Sequence, residues 1–335
     1  MSPAPDSETL RRAATDAVRA ASTLCRTVQT ALVSEETLTK RDRSPVTIAD
    51  YGAQAVVSTL LRRAAPGIPI VGEEDAAALR QDSARELRER VTRAVQAVPE
   101  TSDLGEAEIL AAIDACSDGG GEQGLRWVLD PIDGTKGYLR GEQYAVALGL
   151  LRDGEVVLGV LGCPNLEVLG DGAAAADRGV LFVAERGAGT RQVALSGGEG
   201  SAARVTEITD AALASFCESV ESAHSAHDRH GQIAAHLGTR AEPLRIDSQC
   251  KYGAVARGQA SIYLRLPTSE SYREKIWDHA AGSIVVEEAG GRVTDVAGRR
   301  LVFGLGRTLE ENRGIVATNG ILHERVLEAI RATEA

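Results

Sequence analysis

The chain has 335 residues, and its 48 acidic and 37 basic side chains give a formal net charge of −11. Hydrophobic residues (43%) and charged residues (25%) occur in globular proportions, which excludes a disordered or fibrous protein. The acidic balance disfavours a nucleic-acid-binding protein, and no apolar run approaches the ~20 residues that a membrane span needs.

The N-terminal half predicts helices followed by strands. Apolar residues at helical spacing predict helices at 7–33, 44–65, 75–97 and 105–116. Short apolar runs predict strands at 68–71 and 126–130. Two β-rich runs, 144–151 and 155–162, flank a short turn and predict a hairpin.

The C-terminal half alternates strands and helices. Strands are expected near 180–185, 190–195, 214–219, 243–246, 260–265 and 313–317. Helices are expected at 228–237, 250–257, 278–289 and 321–332. This order predicts a layered α/β protein with two lobes, 1–165 and 166–335.

The cysteines and the N-terminus indicate a cellular compartment. Five scattered cysteines without a CxxC pair favour reduced thiols over a disulfide framework or a zinc site. The opening MSPAPDSETL lacks the basic and apolar regions of a secretory signal. We therefore expect a cytoplasmic protein, or an organellar one if a transit peptide has been removed.

The segment DPIDGT at 130–135 carries the clearest chemical pattern. Pro131 fixes its own φ angle and Gly134 permits a tight bend, so that Asp130, Asp133 and a carbonyl can converge. Mg²⁺ prefers such oxygen ligands. A β-turn with two solvated aspartates explains the same residues equally well when the segment is considered alone.

Two further segments supply acidic residues. In VGEED at 71–75, a helix N-terminus explains the last two acids, whereas Glu73 is the better metal candidate. In WDHAAG at 277–282, Asp278 is expected at the N-cap or in the first turn of a helix. There it either caps the helix or contributes to a site for a metal and a phosphate.

These segments together resemble those of a known superfamily. GEED, DPIDGT and WDHAAG followed by EEAGG are similar to the lithium-sensitive, magnesium-dependent phosphatases of the inositol monophosphatase superfamily. SPVTIADYGAQ, KGYLRGEQ, RIDSQCKYG and YREKIWDHAAG more specifically resemble the 3'(2'),5'-bisphosphate nucleotidases. The resemblance implies alternating helix and sheet layers, the fold of the inositol monophosphatase/fructose-1,6-bisphosphatase-like sugar phosphatases.

The resemblance also implies roles for individual residues. Two or three Mg²⁺ ions would be held by Glu73, Asp130, the Ile132 carbonyl, Asp133 and Asp278. Asp50 and Thr135 would be the catalytic pair that orients and deprotonates the water attacking phosphorus in line. The substrate would be bound by Thr135, His224, Ser225, Ser248, Lys251, Arg265 and Asp278.

The implied reaction is Mg²⁺-dependent hydrolysis of the 3'-phosphate of adenosine 3',5'-bisphosphate to AMP and phosphate. The 3'-phosphate of 3'-phosphoadenylyl sulfate would be a second target, which connects the enzyme to sulfur metabolism, and lithium would inhibit. The alternatives are an inositol polyphosphate 1-phosphatase or inositol monophosphatase, and a catalytically silent nucleotide sensor. The expected partner is a small nucleotide rather than nucleic acid or membrane, and the expected state is a monomer or weak homo-oligomer.

Overall fold

The computed structural model describes residues 5–34, 44–169, 177–220, 224–267, 269 and 271–334. Its α-helices are α1 (Ser7–Ser34), α2 (Ser44–Ala64), α3 (Arg85–Gln96), α4 (Glu106–Asp114), α5 (Thr135–Leu139), α6 (His224–Leu237), α7 (Cys250–Ala256), α8 (Ala280–Glu288) and α9 (His323–Glu334). Its strands are β1 (Ile70–Gly72), β2 (Leu125–Asp133), β3 (Ala145–Arg152), β4 (Glu155–Glu167), β5 (Arg178–Glu185), β6 (Gly189–Ala194), β7 (Ser201–Ala203), β8 (Phe216–Glu218), β9 (Leu244–Arg245), β10 (Ile262–Arg265), β11 (Arg292–Thr294) and β12 (Ile315–Thr318). Within these ranges no helix is long and apolar enough to cross a membrane.

Two long helices, α1 and α2, cover one face of the first sheet. The apolar residues of α1 recur at helical spacing, and Leu10, Val18 and Leu24 are all buried. They belong to a hydrophobic core shared with α2, β3 and β4. Because most helical stability in proteins comes from packing an apolar face, this burial explains why both predicted helices form.

The first sheet has seven strands in the order β1-β2-β3-β4-β5-β6-β7. β1 runs parallel to β2, and the remaining neighbours are antiparallel. In the parallel pair, Gly72 lies opposite Leu129. Glu73, which follows β1, and Asp130, which follows Leu129, therefore lie at the same edge of the sheet.

The second sheet has five strands in the order β11-β12-β10-β8-β9. α7 and α8 pack in the core between the two sheets, and α6 and α9 pack against the second sheet in a separate core. The predicted α/β fold with alternating helix and sheet layers is thereby confirmed.

Small residues allow α8 to lie close to the first sheet. A Cβ atom at Gly159 would lie 2.8 Å from the Ala281 carbonyl oxygen, and one at Gly149 would lie 3.0 Å from the Ala280 Cβ. Glycine at these two strand positions is therefore needed for the close approach. The approach brings the turn before α8, which carries Asp278, to the first sheet.

The predicted helix at 75–97 is wrong in its first part, because α3 begins only at Arg85. In the preceding turns Asp114 Oδ1 accepts the Ala76 N–H, and Asp75 Oδ1 accepts the Ala77 N–H, both at 2.9 Å. Such side-chain acceptors compete with helical hydrogen bonds and stabilise the turns instead.

Other elements differ in their limits. The expected turn after Asp130 belongs to β2, which continues to Asp133 with irregular pairing. α8 begins at Ala280 with His279 at its N-cap, so Asp278 precedes the helix and does not cap it. α6 begins at His224, and β11 is a strand that the sequence patterns did not predict.

The predicted lobe boundary near residue 165 falls within β4. The first sheet continues to Ala203, and the second begins at Phe216. The division into 1–165 and 166–335 stays a prediction. All five cysteines are free and buried (Cys25, Cys116, Cys163, Cys217 and Cys250), as expected for reduced, packed thiols.

Candidate active site

Four acidic side chains from three separate segments converge at one edge of the first sheet. Glu73 follows β1, Asp130 and Asp133 lie at the end of β2, and Asp278 lies in the turn before α8. The charges of the other three all raise the pKa of Asp130, after the larger effect of its burial. The structure thus brings together the four carboxylates that the resemblance assigns to metal binding, here called the acid cluster.

Asp130 is the most deeply buried member of the acid cluster. It is 2% exposed, and its Oδ1 atom is buried without a hydrogen-bond partner among the described residues. Burial, followed by the charge of Glu73, raises the pKa of Asp130 well above its usual value. Because a buried carboxylate is costly without a compensating cation, the unsatisfied oxygen fits a bound metal ion.

Glu73 and Asp133 lie in the same crowded field. Although Glu73 keeps an exposed surface, loss of surrounding solvent and the charges of neighbouring acids raise its pKa to about 7. Burial and the charge of Asp278 raise the pKa of Asp133 to about 6. A set of carboxylate oxygens at this density suits Mg²⁺, a hard cation that prefers oxygen ligands.

The end of β2 is shaped by an interruption of the sheet. Pairing with β3 is irregular between Asp130 and Asp133, so that Ile132 is paired with no β3 residue. Gly134 then adopts a φ of +92°, and a Cβ atom there would lie 2.7 Å from the Ser248 Cβ. Only glycine allows this left-handed turn so close to Ser248. The interruption is compatible with the predicted role of the Ile132 carbonyl as a metal ligand.

The predicted catalytic pair lies on two helices beside the acid cluster. Asp50 is in α2, and burial followed by the charges of Glu74 and Glu73 raises its pKa well above the usual value. Thr135 is the first residue of α5, directly after Gly134. Their cooperation in activating a water molecule stays a prediction.

A cavity of about 280 Å³ opens beside Asp133 and Asp278. Its walls include five residues predicted to bind substrate, namely Asp278 itself, Thr135, Ser248, Lys251 and Arg265. The other lining residues are Gly134, Lys136, Gly137, Arg140, Ser219, Asp247 and Tyr263. Positively charged side chains therefore line the same small cavity as two members of the acid cluster. This arrangement suits a phosphate ester bound through a metal ion.

Lys251 reaches this cavity from α7, although the residue is only 6% exposed. Its Nζ donates a hydrogen bond to Ser219 Oγ (3.1 Å) and lies 5.3 Å from the centre of the Tyr263 ring. Burial lowers the pKa of Lys251, and the charge of Asp133 opposes this shift. A lysine held by a hydroxyl and an aromatic ring is well placed to bind an anionic oxygen.

Arg265 ends β10 and contacts two acids. Its Nε lies 2.8 Å from Glu274 Oε2, and its Nη2 donates a hydrogen bond to Asp278 Oδ2 (3.2 Å). A residue predicted to bind substrate therefore touches a predicted metal ligand.

The remaining predicted substrate residues lie at the starts of α7 and α6. Ser248 has a φ of +64°, and its Oγ accepts the N–H of Cys250 at the start of α7 (3.2 Å). His224 and Ser225 begin α6, but their side chains lie outside the described residues. Their contacts with a nucleotide stay predictions.

The sequence analysis missed Gln249, which connects several parts of the site. Its backbone N–H donates a hydrogen bond to Asp133 Oδ2. Its side-chain Nε2 donates to the Trp277 carbonyl (2.9 Å), and its Oε1 accepts the N–H of Gly282 (3.1 Å). The available signal was its place in the motif RIDSQCKYG, between two residues predicted to bind substrate.

Two more polar residues hold the loops of the site. Gln54 Nε2 donates to the Glu74 carbonyl (2.6 Å), and its Oε1 accepts the Glu74 N–H (3.1 Å). Arg140 forms an ion pair with Asp247, whose Oδ1 accepts the Val220 N–H (3.0 Å). The loops that carry Glu73 and Ser248 are therefore held by hydrogen bonds to buried or partly buried side chains.

A larger cavity of about 520 Å³ lies elsewhere, against α1, α2 and α3. Its lining is mainly apolar, with Leu24, Leu60 and Val98 among its residues, and includes none of the predicted site residues. Size alone would select this cavity, but the carboxylates and cations needed for phosphate chemistry lie at the smaller one.

Comparison with known proteins identifies the family of the chain. A sequence model of the inositol monophosphatase family matches residues 6–335. The chain belongs to this family. An Oryza sativa protein named 3'(2'),5'-bisphosphate nucleotidase is 48% identical over 332 residues, covering 95% of this chain and 92% of that protein. A Schizosaccharomyces pombe protein of the same name is 43% identical over 328 residues, covering 94% and 93%. The predicted resemblance to the bisphosphate nucleotidases is confirmed.

Solved structures of the family support the fold. An inositol monophosphatase from Zymomonas mobilis aligns with a TM-score of 0.63 at 20% identity, covering 99% of this chain and 100% of that chain. One from Anabaena aligns with a TM-score of 0.59 at 21% identity, covering 97% and 96%. At this identity the likeness concerns the fold, and it agrees with the layers described above.

Proposed function

We propose that this protein hydrolyses the 3'-phosphate of adenosine 3',5'-bisphosphate to AMP and phosphate. The observation that carries the proposal is the acid cluster next to a cavity lined by Lys251 and Arg265. Within the cluster, a buried oxygen of Asp130 has no hydrogen-bond partner among the described residues. The identity of up to 48% with proteins named for this activity supports the choice of substrate. We propose 3'-phosphoadenylyl sulfate as a second substrate because it carries the same 3'-phosphate, which connects the enzyme to sulfur metabolism.

The acid cluster and the Ile132 carbonyl would hold two or three Mg²⁺ ions. Bound there, Mg²⁺ would neutralise charge on the phosphate, stabilise the leaving oxygen and lower the pKa of a coordinated water. The donor set fits this ion because every donor is an oxygen and the carboxylates repel one another without a cation. Lithium is expected to inhibit by competing at one of these positions.

The residues around the cluster have separate roles in the proposal. Asp50 accepts the proton of the attacking water, and the Thr135 hydroxyl orients that water. Lys251 and Arg265 bind phosphate oxygens, as cations in a small cavity can. These residues position groups and balance charge, which is the main requirement of phosphoryl transfer through a loose transition state.

The remaining substrate contacts belong to the same proposal. The Ser248 hydroxyl would donate to a phosphate oxygen, and Asp278 would touch both metal and substrate. His224 and Ser225 at the start of α6 would contact the nucleotide. We propose that the enzyme is cytoplasmic or organellar, and that it acts as a monomer or a weak homo-oligomer.

The test is phosphate release from adenosine 3',5'-bisphosphate with Mg²⁺, with and without lithium, for the wild type and Asp133→Asn. We expect release that depends on Mg²⁺, is suppressed by lithium and is lost in the variant. Turnover of inositol 1,4-bisphosphate or inositol monophosphate without turnover of the nucleotide would overturn the choice of substrate. Tight nucleotide binding without any turnover would indicate a sensor.

A further inference from the structure

Arg265 is held at the cavity by more than one group. Its Nε lies 2.8 Å from Glu274 Oε2, while its Nη2 donates to Asp278 Oδ2 (3.2 Å) and to the Tyr272 hydroxyl (3.4 Å). Among the described residues Nη1 makes no hydrogen bond with a protein acceptor. An arginine has five N–H donors, so the two on Nη1 remain available to an oxygen of a ligand in the cavity.

Glu274 is a buried acid that lies behind this arginine. Glu274 is 4% exposed, and its Oε2 atom lies 3.3 Å from His279 Nε2. His279 is 0% exposed, and its Nδ1 lies 2.8 Å from the hydroxyl oxygen of Tyr252, which is also 0% exposed. A continuous chain of contacts therefore leads from Tyr252 through His279 and Glu274 to the guanidinium of Arg265.

The polar contacts also determine the charge of Glu274. Burial raises the pKa of Glu274, but the hydrogen bond from His279 and the charge of Arg265 outweigh it, so the pKa is lowered overall. Glu274 is therefore ionised when it pairs with the arginine. If the Tyr252 hydroxyl donates to Nδ1, the His279 Nε2–H is free to donate to Glu274, and one tautomer satisfies both contacts.

A metal ion is a competing explanation for these residues. Glu274, Asp278 and His279 place one ligand atom each within 4.8 Å of one another. However, Arg265 already pairs with both acids, at 2.8 and 3.2 Å. The charge of Glu274 is compensated by the arginine, whereas the charged neighbours of Asp130 are other acids, so the chemistry of Glu274 is that of an anchor.

An anchor is needed because Arg265 has other acids within reach. Arginine and carboxylate form strong two-point pairs, and Asp278 would offer such a pair to an unanchored guanidinium. That pair would use the donors that a phosphate needs and would occupy a proposed metal ligand. Glu274 engages the Nε side of the guanidinium and so limits its contact with Asp278 to Nη2.

We propose that Glu274 and His279 are positioning residues that hold Arg265 so that its Nη1 edge binds a phosphate of the substrate. The inference rests on the proposed function for the class of substrate, and it adds two residues that touch neither metal nor phosphate. Tyr252 supports His279 at the end of this series of contacts that is farthest from Arg265. Removal of either positioning residue weakens substrate binding through Arg265 alone.

The experiment measures binding and folding separately from turnover. The affinity for adenosine 3',5'-bisphosphate is measured by calorimetry in EDTA, and kcat and KM are measured with Mg²⁺. We expect Glu274→Gln to weaken binding by about 10-fold, as loss of such supporting partners commonly does, and His279→Gln by a smaller factor. Most of the loss should be in Kd and KM, and Glu274→Asp should restore part of it.

A double-mutant cycle tests whether the effect acts through Arg265. In an Arg265→Met background, Glu274→Gln should change the affinity by less than about 2-fold, because contacting residues are strongly non-additive. The matched controls are Asp295→Asn and His323→Gln. They change a buried acid paired with Arg299 and a buried histidine between two threonines, neither of which lines the cavity. These controls should lower the unfolding temperature without changing the nucleotide affinity.

The possible outcomes separate the two proposals. Equal losses of affinity from Glu274→Gln with and without Arg265 would overturn the positioning role. Wild-type affinity in both the Glu274 and the His279 variant would also overturn it, provided that circular dichroism confirms that both variants are folded. Nucleotide binding that follows the expected cycle without turnover would overturn the proposed function and leave the positioning role intact. If inositol 1,4-bisphosphate is the substrate instead, the same cycle is measured with that ligand, and additive losses there contradict the role.

Discussion

Two buried aspartates in this protein have opposite surroundings. Asp130, in the acid cluster, is 2% exposed, and Asp295, in the turn after β11, is 0% exposed. Asp295 accepts the N–H groups of Ala297 and Arg299 (2.9 Å each), and the Arg299 guanidinium lies 2.9 Å from its other oxygen. In the part of the chain that the structure describes, Asp130 has a buried oxygen without a hydrogen-bond partner, and the charged groups that shift its pKa are other acids.

The difference shows how burial can serve either structure or function. A buried carboxylate that accepts several hydrogen bonds and pairs with an arginine stabilises a turn. A buried carboxylate that lies among other acids raises the free energy of the metal-free folded state. The protein is therefore destabilised at the acid cluster and stabilised at the Asp295 turn. Variants at the two positions should separate activity from stability.

The largest effect is expected from Asp130→Asn. The change removes the central charge of the acid cluster, so phosphate release should fall by more than about 100-fold, beyond the loss typical of residues that only support metal ligands. The free energy of unfolding in EDTA should be unchanged or higher, because repulsion among carboxylates is relieved. Kinetics with Mg²⁺ and urea unfolding in EDTA measure both. Wild-type kcat/KM would contradict the role of Asp130 as a ligand.

A smaller loss of activity is expected from Gln249→Met. Methionine has a similar length but cannot bond the Trp277 carbonyl and the Gly282 N–H, so Asp133 and Asp278 lose a common support. We expect kcat/KM to fall by about 10-fold and the Mg²⁺ concentration for half-maximal activity to rise. Gln96→Met is the control. Among the described residues the Gln96 side chain forms a hydrogen bond only with the Leu104 carbonyl, and Gln96 does not line the cavity beside Asp133 and Asp278. Equal effects of the two changes would show that Gln249 has no special place in the site.

The reverse pattern is expected for Asp295→Asn. The buried turn loses its charge-assisted hydrogen bonds, so the free energy of unfolding should fall by about 1–3 kcal/mol. Activity should stay within about 2-fold of the wild type, because Asp295 neither lines the cavity nor belongs to the acid cluster. Urea unfolding and kcat/KM below the unfolding transition measure the two quantities. A strong loss of activity in the folded variant would remove the contrast with Asp130.

The smallest effect is a dependence of stability on pH in the metal-free protein. The pKa of Glu73 rises from 4.5 to about 7, so in this window the folded state binds more protons than the unfolded state. The unfolding free energy therefore decreases as pH rises through this window, and Mg²⁺ should remove the decrease. Thermal unfolding in EDTA and in Mg²⁺ at pH 5 and 8 tests this. The slope should be weaker in Asp130→Asn, and an unchanged slope would contradict the coupling between these acids.

His323 gives the opposite sign and serves as the reference for this measurement. Burial lowers its pKa from 6.5 to about 4, so between these values the unfolded state binds more protons and stability increases with pH. His323→Gln should therefore flatten the acid side of the stability curve and leave the decrease above pH 5 in place.

Local patterns in the sequence predicted most of the elements near the site. The apolar spacing in α1 and α2 and the run before Asp130 were sufficient for two helices and a strand. They failed where side chains supplied competing hydrogen bonds, as in the turns before α3, and where Asp278 bonds Arg265 and does not cap α8. Such failures arise because a hydrogen-bond acceptor can be used locally or by a distant partner, and spacing does not distinguish the two.

By itself the sequence determined which side chains could bind a metal and a phosphate, since DPIDGT, GEED and WDHAAG contain the carboxylates whatever their arrangement. Only the tertiary structure decided that Glu73, Asp130 and Asp278 meet, that Gln249 connects Asp133 with the turn that carries Asp278, and that Glu274 pairs with Arg265. The physical reason is that these distances depend on the parallel pairing of β1 with β2 and on the close packing of α8 against the glycines of the first sheet. Those contacts join residues far apart in the chain, and their positions are set by the packing of the whole domain.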